Sequence, residues 1–483
     1  MNTYKALLLI TFFTCILSDI TYTSKYTYSK TDCFASGKIS SSNKDENVVL
    51  VQNGGNFSMY KMKVDKTGDA SNLENAKLYG VNAAFLVTKS STGAISESTI
   101  KTNGKGANAF FSYGANSIID ILYSDAETKG SNSGLIATDS GTINAYHLNL
   151  FTYGESSPSF AAYNDGLFTL ISCNILTFGK NSPVIYSKGT IKTDGIEGSA
   201  LDSQMIVVDG AKTVKFKDSR LYSSGNGGNN ENSGIFIYQS TERGANDGAA
   251  RFVSSDSSFS IFSNSTYYQT APMFYVTNTE VEIIFFYQNS FQFGSGIFLK
   301  AESNDKYGTT GKNGGKVSLF VSHTSIEGDI ICGKDSTISI FLIDGGSIRG
   351  KINIVENGIV NIYAAGSSAW TLTGDSTVTN YYYEEGAINE NGYTLTKIGN
   401  EDSTLGDVEF PEKTVPYVDA ITTEVKCSNK APSDNNGGND DGNSNNNGGD
   451  DGNSNNNGGD DDDSKGKYLY VNLLSILFLI LNL

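Results

Sequence analysis

The sequence lacks any sign of a helical body. Nowhere in its 483 residues do Leu, Ala, Glu and Lys gather into a long run with a 3.6-residue period. Histidine is nearly absent. His147 and His323 are the only two, neither falls in an H-x-x-x-H metal pattern, and neither belongs to a nucleophile motif with Ser or Cys. Both are expected as outward or loop residues. No block of Lys or Arg occurs, which argues against nucleic acid as a partner. The formal charge is −17, and much of it comes from an Asp-rich stretch near the C-terminus. That stretch has no EF-hand spacing and is expected to be a solvated stalk. Tryptophan occurs once and proline six times. No metal or cofactor is predicted. Gly, Ser, Asn and Thr are abundant, together with 27 Tyr and 26 Phe. They lie in short β-prone stretches punctuated by Gly, Asn and Asp, the pattern of an all-β chain.

The two ends are apolar but short. Lys5 followed by Ala6–Leu17 has the layout of a secretory signal peptide over residues 1–18, with cleavage between Ser18 and Asp19. A dozen apolar residues fall short of the ~20 that span a bilayer. Residues 431–467 form an Asn/Gly/Asp/Ser linker with an internal duplication, unable to bury apolar surface. The apolar tail 468–483 ends the sequence. Small residues, a polar spacer and a terminal apolar tail are the parts of a GPI-attachment signal. The spacing places lipid attachment at Asn457, with Gly458 as the alternative, and a short C-terminal transmembrane anchor as the competing reading. The resulting expectation is an extracellular, cell-surface protein held on the membrane by a lipid anchor.

Between the ends lies a repeat of about 25 residues. Lines beginning at Ala83, Ala107, Asn132 and Ser157 each open on an apolar cluster: AAFLV, ANAFF, SGLIA and PSFAA. Phe85, Phe110, Leu135 and Phe160 are the corresponding residues. A second stretch follows around Ile95, Ile119, Ile143 and Phe168, and a third around Ile100, Leu122, Leu148 and Ile175. Gly104, Gly130, Gly154 and Gly179 close the lines. The pattern continues less evenly through PVIY, MIVV, IFIY, MFYV, IFLK, DIIC and KINI. Three strands and three turns per line predict an all-β fold, a right-handed three-sided parallel β-helix (solenoid) with rungs of about 25 residues and terminal caps. About twelve coils at ~4.8 Å give a rod some 55–60 Å long. The β-helix is assigned to 83–398, with capping regions at 19–82 and 399–430. Gly225–Ser233, Thr241–Asp247 and Glu302–Gly315 are expected as loops on one side of the rod.

Four cysteines lie outside the signal peptide: Cys33, Cys173, Cys332 and Cys427. Cys173 and Cys332 are about six coils apart, ~29 Å along the axis, against the ~7 Å that a disulfide tolerates. They are expected as buried free thiols. Cys33 and Cys427 belong to opposite caps and are expected to remain separate unless a terminus folds back along the rod. Asn56 and Asn264 begin N-x-S/T sequons, the acceptor pattern for N-glycosylation.

On SESTIKTNGKGANAFF from Ser96, PMFYVTN from Pro272 and GKNGGKVSL from Gly311, the chain resembles the pectate-lyase-like superfamily of right-handed parallel β-helices. Adhesin-like microbial surface proteins are the nearest likeness. Many superfamily members cleave acidic polysaccharides, which implies testing for an enzyme. Inverting hydrolysis needs two carboxylates ~6.5–9.5 Å apart. The G-H-G motif of polygalacturonase-like members is absent, D-D occurs only in the linker, and Arg349-Gly350-Lys351 matches R-x-K alone. Asp202, Asp209 and Asp218 are scattered candidates, the first two suited to turns. No catalytic residue is assigned. Adhesion, or a structural role in the cell wall or surface with extracellular glycans as partners, is the leading expectation. A polysaccharide lyase or glycoside hydrolase is the alternative. Tyr153 and Phe178 occupy equivalent positions and are expected either as an aromatic strip or as stacked ladder residues.

Overall fold

Each apolar cluster of the register forms a short strand whose inward residues stack on their equivalents one coil away. In the first ladder Phe85, Phe110, Leu135, Phe160 and Ile185 are consecutive pairing partners, all in parallel strands. The computed structural model describes residues 20–228, 231–240, 248–412, 425, 427 and 429–431. Ser18, Asp19, Asn457, Gly458, Thr241–Asp247, the linker beyond Ala431 and both apolar ends lie outside them. The coils fall in a compact unit, Met1–Asp434; a second unit, Asn435–Leu483, is wholly outside the described residues. No helix among the described residues is long and apolar enough to cross a membrane.

The fold is a parallel β-helix. Its first side is a sheet of thirteen strands, from Thr23–Tyr28 to Ile352–Ile354. At ~4.8 Å per strand this side extends about 58 Å. The second side runs through Thr92–Ser96, Ile118–Leu122 and Thr142–Tyr146, and the third through Thr99–Thr102, Asp125–Thr128 and Asn149–Thr152. Asn56–Lys66 continues around the corner between them and pairs with both Thr92–Ser96 and Thr99–Thr102 of the next coil. The second and third sides therefore join in one sheet of 22 strands.

The structure corrects the sequence register in two places. On the second side Ile119, Ile143 and Phe168 are partners, but they align with Gly93, while Ile95 aligns with Ile121. On the third side the ladder is Ile100, Ala126, Leu150 and Ile175, with Leu122 and Leu148 displaced to the corner. The region before Ala83 is also more than a cap. Thr23–Tyr28 and Thr31–Ser41 form a first coil, Glu46–Val51 and Asn56–Lys66 a second. Tyr28 and Phe57 stack at 3.9 Å, with Phe34 edge-on to both, at the apolar end of the interior.

The closing glycines are required by the close approach of successive coils. A Cβ on Gly104, Gly130, Gly154 or Gly179 would lie 1.8–2.1 Å from the carbonyl oxygen of the glycine one coil below.

The C-terminal residues leave the helix and return along its outer surface. Gly406 lies against Tyr363, Phe410 packs edge-on to Phe320 at 5.4 Å, and Glu412 pairs with Lys215 at 2.6 Å. This segment covers an outward apolar strip on the second side: Val253, Ile284, Phe286, Phe320 and Phe341. At the far end, Cys427 forms a disulfide with Cys33, Cα atoms 5.8 Å apart. The Ala35 amide donates to Asn429 O at 2.6 Å, and Ala35 and Lys430 form a parallel bridge. The expected separation of Cys33 and Cys427 is thus overturned, because the C-terminal segment does fold back to the first coil. Cys173 and Cys332 are free and buried as expected, six coils apart. Burial pushes their thiols up to about 12 and about 11.

Candidate ligand-binding site

The second and third sides meet at a corner where the chain turns sharply while both flanking strands keep their pairing. One residue per coil achieves this in the left-handed region: Glu97, Tyr123, His147, Ser172, Asp218, Asp256, Tyr287, His323 and Asp344 have φ between 45° and 60°, and Gly195 and Gly366 have 66°. For an L-residue this conformation costs ~1–2 kcal/mol, so glycine would be cheaper at every coil. Tyr123, His147, Tyr287 and His323 nevertheless put rings in this row, and retained strain of this kind points to use. The corner amides bind the next coil; Tyr123 N donates to Tyr146 O at 3.0 Å and His147 N to Ile171 O at 3.1 Å. The residue after the corner turns inward and satisfies its own turn. Ser124 Oγ donates to Leu122 O and Ser257 Oγ to Ser255 O.

Both histidines of the sequence lie in this row, each one coil beyond a tyrosine in the same row. Tyr123 and His147 stack at 5.1 Å and 16°, with Tyr146 alongside. Tyr287 and His323 approach to 6.2 Å at a 34° tilt. Burial lowers the affinity of His147 for its proton. The two pairs differ in what surrounds them. The coil of Tyr287 carries one extra corner residue, Gln288, so Asn289 takes the inward position. Its amide donates to Ser254 O, Phe286 O and Thr324 Oγ1, and its oxygen accepts from Ser254 Oγ at 2.7 Å. Thr324 Oγ1 in turn donates to Tyr287 O. This network fixes the widened turn. Beside it opens a cleft of about 470 Å³ lined by Asp256, Tyr287, Gln288, His323, Thr324 and Ser325, with Gly345 at its edge. Tyr287 is 46% exposed. The His323 ring is oriented through Nδ1, 2.8 Å from the buried Ser322 Oγ.

The cleft offers an aromatic face with a hydroxyl, amide and carboxylate rim, suited to stacking and hydrogen bonding. It does not offer a carboxylate pair. Asp256 and Asp344 are three coils apart along the row, ~14 Å in backbone terms, beyond the ~6.5–9.5 Å of inverting hydrolases. Among the described residues no group of three or more His, Cys, Asp or Glu could hold a metal ion.

The other sequence candidates are dispersed. Asp202 accepts from Asn226 Nδ2 at 2.6 Å in a turn, as expected, and Asp218 sits in the corner row beside Lys217. Asp209 is not a turn residue. It is fully buried on the first side and paired with Lys188. Lys351 lies 3.6 Å from Asp329, and Gly350 packs against Gly328 O, so Arg349-Gly350-Lys351 belongs to a strand end and tight corner. Tyr153 and Phe178 stack at 4.5 Å and 3°, with Lys129 over Tyr153, so the pair is a stacked ladder step that also faces outward, Tyr153 being exposed. Asn56 and Asn264 are exposed. Residues 225–228 and 231–233, and the 302–314 stretch, flank the first side and meet across it, where Lys306 and Tyr307 both reach Glu231 at 2.9 Å.

No protein family, curated protein or solved structure matches the chain. The parallel β-helix fold is compatible with surface or carbohydrate-related roles.

Proposed function

We propose that the protein is displayed on the cell surface and binds extracellular glycans, in adhesion or as a structural component of the surface. The observation that carries this reading is the Tyr287–His323 cleft: an exposed aromatic pair held in strained corner conformations, with a polar rim and no convergent carboxylates. A pyranose ring stacks on the Tyr287 face while Asp256, Gln288 and Ser325 supply hydrogen-bond partners for its hydroxyls. The signal peptide with cleavage at Ser18/Asp19, the GPI-type attachment at Asn457 or Gly458, and sugars on Asn56 and Asn264 complete the proposal. They are supported by the sequence pattern at the two ends and by the exposure of both asparagines.

The test is a glycan array probed with recombinant residues 20–434, followed by reducing-end release on every hit. Saturable hits that disappear in Tyr287→Ala, without product release, are expected. Hits that survive that substitution would remove the cleft from the reading, and product release would replace binding with catalysis.

A further inference from the structure

A second cluster, independent of the cleft and of the glycan reading, is sealed on the first side. Lys188 and Asp209 follow Ser187 and Val208, which are themselves one and the same position in adjacent coils. The side chains are 1% and 0% exposed, with Lys188 Nζ 2.9 Å from Asp209 Oδ2. Tyr186 OH donates to the same oxygen at 3.1 Å, and the Ser240 amide donates to Oδ1 at 2.7 Å. Lys188 Nζ also reaches Ser240 Oγ at 3.2 Å. Aromatic rings enclose the group: Tyr163 lies 5.5 Å from Tyr186, and Phe236 and Tyr307 lie 4.5 and 4.8 Å from Tyr238. Burial, with Tyr238 and Asp209 beside it, holds the Tyr186 phenol well above its ordinary value, so it remains a donor.

Two full charges in such a place carry a desolvation cost of several kcal/mol each. Condensation to an amide would abolish both. The two oxygens of Asp209 already differ in the way that reaction requires. Oδ1 is held by a backbone N–H, as an oxyanion-hole donor would hold it, and Oδ2 faces both the amine and a phenol. Fixed contact replaces a bimolecular encounter, an advantage reaching ~10⁵–10⁸ M in effective concentration.

We propose that Lys188 and Asp209 form an intramolecular isopeptide bond that staples two adjacent coils. One ammonium proton passes to Oδ2, leaving a neutral amine and a carboxylic acid. The amine lone pair forms the Nζ–Cγ bond, with the developing charge on Oδ1 met by the Ser240 amide. The Cγ–Oδ2 bond then breaks, and Oδ2 departs as water with a second proton from nitrogen, relayed through Tyr186. The product keeps one N–H, one water is released, and no oxidant or co-reactant is consumed. Exclusion of solvent from the site opposes the reverse hydrolysis.

The experiment is tryptic mapping of the reduced full chain after storage at neutral pH. An acylated Lys188 resists trypsin, so residues 181–192 should appear joined to residues 193–212 as a branched species with two N-termini, Asn181 and Thr193, which separates it from the isobaric linear peptide 181–212 with its single N-terminus. Asp209→Asn should give the same branched product with ammonia as the leaving group, and Asp209→Ala none. Tyr186→Phe should slow its accumulation roughly a hundredfold, the scale of lost general-acid assistance. Cleavage after Lys188 in the wild-type chain, with both peptides at unmodified mass, would overturn the proposal even if every variant failed to fold.

Discussion

Replacing Gly130 by alanine tests whether coil spacing rests on the glycine stack. The new Cβ would lie 1.9 Å from Gly104 O, whereas contacts below 3.0 Å essentially never occur. The two coils must therefore part locally by at least about 1.1 Å, against a normal spacing of ~4.8 Å. Lys129 N donates to Thr102 O and Gly106 N to Ser131 O beside this point, each at 2.9 Å. Stretching both past the hydrogen-bonding limit costs about 1 kcal/mol apiece, and each buried group left unmet adds ~1–3. With Thr102 and Gly106 as the buried partners, the expected loss is about 4–8 kcal/mol. Gly114→Ala is the control, because Gly114 has φ +89° and its nearest neighbour is 4.0 Å from the added carbon. Only the left-handed penalty of ~1–2 kcal/mol applies there. Urea unfolding followed by circular dichroism, with amide exchange across Thr99–Thr102 and Asp125–Thr128, separates the two. Equal midpoints for the two variants would refute the close-approach argument.

Three further outcomes are expected. Cys33→Ser with Cys427→Ser should raise amide exchange at Ala35 far more than in distant coils, since coils contact only their neighbours. The loop-closure relation sets a ceiling of about 6 kcal/mol for the separation of 394 residues, and uniform exchange changes along the rod would contradict it. In the native protein Cys173 and Cys332 should resist a thiol reagent at mildly alkaline pH and react fully on unfolding, as their thiols are pushed up to about 12 and about 11; rapid native reaction would refute their burial. Burial also raises the phenols of Tyr22, Tyr28, Tyr186, Tyr238, Tyr275 and Tyr307. Above about pH 10 the unfolded chain loses phenolic protons that the folded chain keeps. Stability should therefore fall as pH rises through that region. Phenolate absorbance would follow unfolding; a smooth titration of all tyrosines in the folded protein would sink this reading.

The parts of the fold legible from sequence were those repeated at full coil length. The first-side ladder recurs every 25 residues from Phe85 to Ile185, and the closing glycines recur within a residue of that, because each contacts its counterpart one coil away. The second and third ladders slipped because strand alternation has a period of two, so Ile95 could be matched to Ile119 as readily as to Ile121. The corner row was legible in principle. Tyr123 and His147 are one coil apart, but their role depends on the left-handed turn rather than on hydrophobicity. The returning segment left a sign in the strands it covers. IIFF at 283–286 and IFLI at 340–343 lose their polar alternation, as strands buried on both faces do. Asp209 looks like a turn residue in the sequence because its partner, Lys188, lies one coil earlier, beyond a single sequence window.

The disulfide to the first coil also decides where mechanical load enters the molecule. The last described residues, 429–431, lie beside Ala35 in the first coil, although the chain completes its winding at the opposite end. Tension applied beyond Ala431 is therefore transmitted through Cys427 and Cys33 to the first coil, and the final coils hang outside the path of force. The Tyr287–His323 cleft opens in the tenth and eleventh coils, about 43 Å from that point of attachment at the strand spacing. A ligand pulled from the cleft would load the intervening coils in series, with strands separating one from the next along the axis.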